Sequence, residues 1–177
     1  MSKSNGEHSK ILPLKEDIKI YLKGIDEELA SEYVQVVDEL EDADVAIIML
    51  NAPYHPGEEG NLLERFFHQS ALTYGREKLD SILTILERKP TVVNIYLDRP
   101  AVIPEIKEKA AAILVNFGAV DEAILDVIFG NFNPQGLLPF EIPSSMNAVR
   151  EQKEDVPYDS NDPLFEFGYG LSYKEIK

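Results

Sequence analysis

Apolar residues in this chain come in short blocks separated by polar, mostly acidic stretches, and two spacings alternate along it. Residues 18–22, 34–37, 45–50, 91–97 and 113–117 are compact runs of aliphatic and β-branched side chains, the composition of strands. The blocks at 34–37 and 45–50 are bounded by acids and predict strands buried on both faces. Between them the spacing becomes helical. Leu79, Ile82, Leu83 and Leu86 recur on one side of residues 76–88, and Pro90 closes that pattern before the next strand. Asp26-Glu27-Glu28 predicts a helix start with acids at the positive end of the dipole. A helix is predicted over 106–112. Another is capped by Asp121, carries Ile124, Leu125 and Ile128 on its apolar face, and stops at a left-handed Gly130. Strands alternating with helices predict an α/β fold, a parallel sheet covered on both faces, with 45–50, 91–97 and 113–117 as adjacent parallel strands. After Leu138 the periodicity ends, and residues 151–163 predict a charged loop rich in Pro and Asp.

Composition narrows the choices. With 177 residues, 44% of them hydrophobic, the chain suits one core, expected over 17–177 behind a polar, mobile N-terminus at 1–16. A formal net charge of −15 opposes binding to phosphate backbones and anionic lipid, so neither nucleic acid nor membrane is expected as a partner. No cysteine is present, which removes disulfides and thiolate chemistry. The first ten residues lack the apolar stretch of a signal peptide, and no run approaches the roughly 20 residues of a spanning helix. The expectation is a soluble, cytoplasmic protein. No His-x-x-His, His-Glu-x-x-His or Asp-rich calcium loop suggests a metal. No Gly-x-Gly-x-x-Gly suggests a dinucleotide, and no cofactor is expected.

Two C-terminal segments carry the most information: Asn133-Pro134-Gln135-Gly136-Leu137-Leu138-Pro139-Phe140, and Phe165-Glu166-Phe167-Gly168-Tyr169-Gly170-Leu171-Ser172-Tyr173. By residue type, Gly168 and Gly170 permit positive φ and close backbone approach, while Phe165, Phe167, Tyr169 and Tyr173 supply apolar area. The segment reads as a clasp over the domain or as an aromatic platform for a sugar. Together and in this order, the two segments resemble the end of family-three glycoside hydrolases, the β-glucosidases and their relatives. Asp155-Val156-Pro157-Tyr158-Asp159-Ser160 extends the likeness to one subfamily. The resemblance implies the C-terminal domain of such an enzyme, a single three-layer sandwich on a mostly parallel sheet. It also implies that the aspartate nucleophile lies in a separate N-terminal (β/α)8 barrel, for which 177 residues leave no room beside this domain. The expected function is therefore one half of a β-glucosidase-like O-glycosyl hydrolase, inactive alone and completed by a barrel in trans around a β-glucoside. The alternatives are a non-catalytic carbohydrate-binding or interaction module, or a truncation product. A homo-oligomer remains open.

The loop after the third strand, Asn51-Ala52-Pro53-Tyr54-His55-Pro56-Gly57-Glu58-Glu59-Gly60, lies where open α/β sheets place ligands, beyond a strand's carboxyl end. In the resembled family this loop often supplies the acid/base glutamate, in a Pro-Tyr/Phe-x-Glu or Pro-Tyr/Phe-Glu context. Pro53 and Tyr54 match, but His55 and Pro56 follow, and the nearest carboxylates are Glu58 and Glu59. Those two are the candidate acid/base, or else solvated loop carboxylates. Tyr54, His55 and Arg99 are the candidate substrate-binding residues. Arg99, in Asp98-Arg99-Pro100 where the family has Gly-Arg-Pro, pairs with a carboxylate or touches sugar or barrel. His55 reads equally as a surface residue, and His68 as a helix-edge residue. Asn116-Phe117-Gly118-Ala119 stands where the family usually has a Trp/Tyr-containing Pro-Gly segment. Tyr54, Phe66, Phe67 and Tyr74 are expected to form an exposed apolar patch facing a partner.

Overall fold

The computed structural model describes residues 11–54 and 72–173. Five strands form its sheet: β1 (Lys19–Lys23), β2 (Gln35–Val37), β3 (Val45–Asn51), β4 (Thr91–Tyr96) and β5 (Ala112–Asn116). Their order is β2-β1-β3-β4-β5 and every pairing is parallel. The three strands expected to be adjacent are β3, β4 and β5. Runs such as Val-Ala-Ile-Ile in β3 and Val-Val in β4 are buried throughout, since a sheet covered on both faces leaves no solvent side.

Two helices lie on each face. On one, α2 (Arg76–Arg88) and α3 (Pro104–Lys109) bring Ile82, Ile85, Leu86 and Ile106 against Ile48, Val93 and Ile95. On the other, α1 (Glu27–Ala30) and α4 (Asp121–Ile128) bring Ala30, Ile124, Leu125 and Ile128 against Ile20, Ile47 and Val92. The result is the expected three-layer sandwich. Each fully buried Ile contributes about 1.5–3 kcal/mol relative to exposure, so both faces are needed to hold the sheet. Ile11, Leu12 and buried Leu14 join the second cluster, and Leu14 N donates to Ile128 O at 2.8 Å. Packing thus reaches to the N-terminal side of residue 17.

Several local expectations are corrected by tertiary context. The block at 34–37 is not a doubly buried strand: β2 is an edge of three residues with Gln35 exposed, paired only to β1. The helix expected at 106–112 begins earlier, with Pro104 in its first turn, and ends at Lys109. Three alanines favour helix locally, yet Ala111 N donates to Thr91 O at 2.9 Å and Ala112 pairs with Val92, so β4 draws them into the sheet. Asp121 is the first residue of α4 and not its cap; the cap is Val120, and Asp121 Oδ2 accepts from Asp26 N at 2.9 Å. Asp26 does cap α1, accepting from Leu29 N. Gly130 takes φ 81° directly after the α4 cap, Phe129. A further short helix, α5 (Met146–Glu151), capped by Ser145 Oγ, was not signalled, since it buries only Ala148.

The two C-terminal signature segments bind each other. Leu138 N donates to Tyr169 O and Gly168 N to Leu138 O, both at 2.9 Å, and Tyr173 N donates to Asn133 Oδ1 at 2.7 Å. Gly168 adopts φ 76°, whereas Gly170 serves close approach: a Cβ there would overlap the Gly136 carbonyl oxygen. Phe165 packs on the core beside α3, but Phe167 is half exposed, its ring stacked on Tyr158 with centroids 4.2 Å apart. The clasp is thus apolar on both its inner and outer sides.

Candidate functional site

The strand order reverses direction between β1 and β3, which makes their carboxyl ends the topological switch point where sheets of this kind open a crevice. The loop that follows β3 starts there. Asn51 is level with Tyr96, and Tyr96 with Asn116, so the segments after β3, β4 and β5 emerge along one edge.

Both approaches to this loop are tied down. Arg99, after β4, donates from Nη2 to the Pro53 carbonyl. Tyr74, just before α2, donates its hydroxyl to Asn51 O at 2.8 Å, and Val102 N donates to Leu72 O at 2.8 Å. Burial pushes the Tyr74 phenol well above its ordinary value of 10.0, because the phenolate would lose hydration. Tyr54 and Tyr74, with Gly75 to Lys78 at the start of α2, line a recess of about 390 Å³. Tyr54 is 38% exposed and offers an aromatic face with a polar tip.

Of the residues singled out from the sequence, Tyr54 and Arg99 therefore meet at one edge. His55, Glu58 and Glu59 lie outside the described residues, as do Phe66, Phe67 and His68. Tyr74, expected in an exposed patch, is instead half buried against the core with its hydroxyl engaged. A phenol that can hydrogen-bond a strand-end carbonyl gains more inside than on the surface. Among the described residues no cluster of three His, Cys, Asp or Glu side chains can hold a metal ion, and no helix is long and apolar enough to cross a membrane.

Sequence reasoning missed a buried amide pair at the same edge. Asn94 in β4 is fully buried and Asn116 nearly so, and Asn116 Nδ2 donates to Asn94 Oδ1 at 3.1 Å. The signal was a single amide inside the apolar run Thr-Val-Val-Asn-Ile-Tyr. A second and larger cleft, about 640 Å³, runs along β5 between α4 and the C-terminal clasp.

A doubly covered parallel sheet with an anchored loop at its carboxyl edge defines a doubly wound α/β domain. The chain belongs to the Glycosyl hydrolase family 3 C-terminal domain, which it matches over residues 4–173. It is 41% identical over 169 residues to Beta-glucosidase C of Emericella nidulans, covering 93% of this chain and 27% of that protein. Against the Periplasmic beta-glucosidase/beta-xylosidase of Dickeya chrysanthemi it is 36% identical over 170 residues, covering 94% of this chain and 26% of that one. In fold it is similar to beta-glucosidase 3B from Thermotoga neapolitana in complex with alpha-D-glucose, with TM-score 0.70 and 18% identity over 94% of this chain and 36% of that one. The chain thus spans about a quarter of the length of these curated relatives.

Proposed function

We propose that this chain works as the C-terminal part of a β-glucosidase-like retaining hydrolase, with a (β/α)8 barrel in trans supplying the nucleophile. The observation that carries this reading is the anchored loop: Tyr74 on Asn51 and Arg99 on Pro53 hold both approaches at the switch point, where a glycoside seated on a barrel would meet it. In retaining hydrolysis one carboxylate attacks the anomeric carbon, and a second carboxylic acid roughly 5 Å away protonates the departing oxygen. Glu58 or Glu59 is the proposed second group. It gives its proton to the leaving alcohol and then takes one from the water that releases the sugar. Tyr54 presents a ring to a pyranose face, His55 adds a donor beside it, and Arg99 keeps the loop in reach.

The test is an aryl β-glucoside assay of the chain alone and with a family-three barrel. The lone chain is expected to be inactive, since no acid alone forms the glycosyl intermediate. Turnover restored by mixing supports the reading. Hydrolysis by the chain alone, or no turnover with any barrel that binds it, overturns it. The half-exposed stacked rings of Tyr158 and Phe167 favour a second reading, a carbohydrate-binding module, which predicts retardation on immobilised β-glucan without hydrolysis.

A further inference from the structure

The carboxyl edge carries a carboxylate on its middle strand. Three described segments leave this edge: residues 52–54 after β3, 97–103 after β4 and 117–120 after β5. Among the described residues of these segments Asp98 is the only carboxylate and Arg99 the only cation. Arg99 is committed to the Pro53 carbonyl. Asp98 is exposed, yet its backbone is held on both sides. Leu97, only 1% exposed, donates from N to Asn116 O at 2.9 Å, and Arg99 reaches across to the β3 segment. A carboxylate carried on so fixed a backbone loses little main-chain freedom when it binds a ligand.

β4 lies between β3 and β5, so Asp98 stands between their segments, each about 5 Å away by the spacing of neighbouring strands. Each segment offers an aromatic ring. Tyr54 follows β3 and is 38% exposed; Phe117 follows β5 and is 53% exposed. Phe117 is held there by Asn116, whose Oδ1 accepts from Gly118 N and Ala119 N, and by the ring of Phe140, which meets it edge-on with centroids 5.8 Å apart. A carboxylate between two exposed rings suits a pyranose: the rings cover its C–H faces, and the two carboxylate oxygens accept from neighbouring hydroxyls. We infer that Asp98 binds the sugar on the leaving side of the scissile bond, accepting from two vicinal hydroxyls, and thereby selects neutral β-linked disaccharides and longer glucosides.

Position decides which side of the substrate is held, and this step rests on the hydrolase reading above. There the proton donor comes from the loop after β3 and acts on the departing oxygen, so the neighbouring strand, β4, faces the departing unit. Charge decides the class of sugar. With one carboxylate, its one cation tied to Pro53, and −15 over the chain, the edge repels a uronate or a sugar phosphate and favours a neutral sugar rich in hydroxyl donors. A hydrogen bond to an ionised oxygen is stronger than a neutral one. A disaccharide gains two of them, whereas an aryl leaving group has no vicinal hydroxyls to offer. The resembled Gly-Arg-Pro pattern has no side chain at this position, so the contact belongs to the Asp98-Arg99-Pro100 of this chain.

Two measurements test this. In the first, cellobiose is titrated into the whole chain without a barrel while backbone amides are followed by NMR. Saturable shifts are expected at Asp98 and Phe117, in the millimolar range, and Asp98→Ala is expected to weaken binding about tenfold. Asp98→Glu is expected to recover part of it. The same disaccharide with a glucuronosyl unit at its reducing end is expected not to bind. In the second, the chain is combined with a family-three barrel, and kcat/KM is measured for cellobiose and for an aryl β-glucoside. Asp98→Ala is expected to lower the ratio of the first to the second about tenfold, chiefly through KM for cellobiose. A merely structural role would lower both and leave the ratio unchanged. No shifts at Asp98 and Phe117, equal binding by Asp98→Ala, equally tight binding of the uronate, or an unchanged ratio each overturns the inference. Cellobiose binding that depends on Asp98, without turnover in the presence of any barrel, supports the Asp98 contact and sinks the hydrolase reading. Restored turnover with the ratio unchanged in Asp98→Ala does the reverse.

Discussion

Asn116, the last residue of β5, donates from Nδ2 to Oδ1 of Asn94 in β4 at 3.1 Å, while its own Oδ1 accepts from Gly118 N at 3.0 Å and Ala119 N at 3.3 Å. One side chain therefore joins two strands and shapes the turn into α4. Asn116→Leu strips the acceptor from two backbone N–H groups and is expected to cost about 2–4 kcal/mol; Asn94→Leu orphans one donor but removes another and is expected to cost about 1–2 kcal/mol. Urea midpoints at unchanged m test the order. Equal losses would mean that the turn does not depend on Asn116.

Gly130 and Gly136 predict opposite responses to the same change. Gly130 holds φ 81°, and a Cβ there would lie 2.8 Å from Cβ of Pro13, a rigid ring. Gly130→Ala is expected to destabilise by about 2–3 kcal/mol, from left-handed strain plus overlap. A Cβ on Gly136 meets nothing within 4 Å, so Gly136→Ala is expected to stay within about 0.5 kcal/mol. Thermal midpoints of the two variants provide the check.

Alkaline stability depends on buried phenols. Burial raises the Tyr74 and Tyr173 phenols above their ordinary value of 10.0, so above that pH the folded chain holds protons that the unfolded chain has released. Stability is complete below pH 10 and falls as pH rises beyond it. Tyr74→Phe is expected to flatten this fall. At neutral pH it costs about 1 kcal/mol, because the Asn51 carbonyl loses its donor. Urea unfolding at a series of pH values would show it, and an undiminished slope in the variant would assign the fall to other groups.

For the proposed acid/base, Glu58→Gln and Glu59→Gln are to be compared in the reconstituted hydrolase. The one that acts is expected to lower turnover by about 10²–10⁴, most for substrates with poor leaving groups, and to flatten the alkaline limb of the pH profile. If neither variant changes turnover, the assignment of these glutamates is wrong.

Local order along the chain was enough to read helix 76–88, the strands β3 and β4, the helix start at Asp26 and the stop Gly130, because hydrophobic spacing and terminal residues act over one or two turns. The C-terminal motifs likewise pointed to the family, since glycines and aromatics at fixed offsets are visible without a structure. Tertiary contacts decided the rest. Ala110 to Ala112 left the helical state because β4 offered a ladder, and residues 34–37 became a poor edge because no second neighbour exists. The meeting of Gly170 with Gly136 and the pairing of Asn94 with Asn116 each join residues more than twenty positions apart. Periodicity records which residues turn inward, whereas strand order and close approach depend on what they meet there, and only the folded chain supplies that.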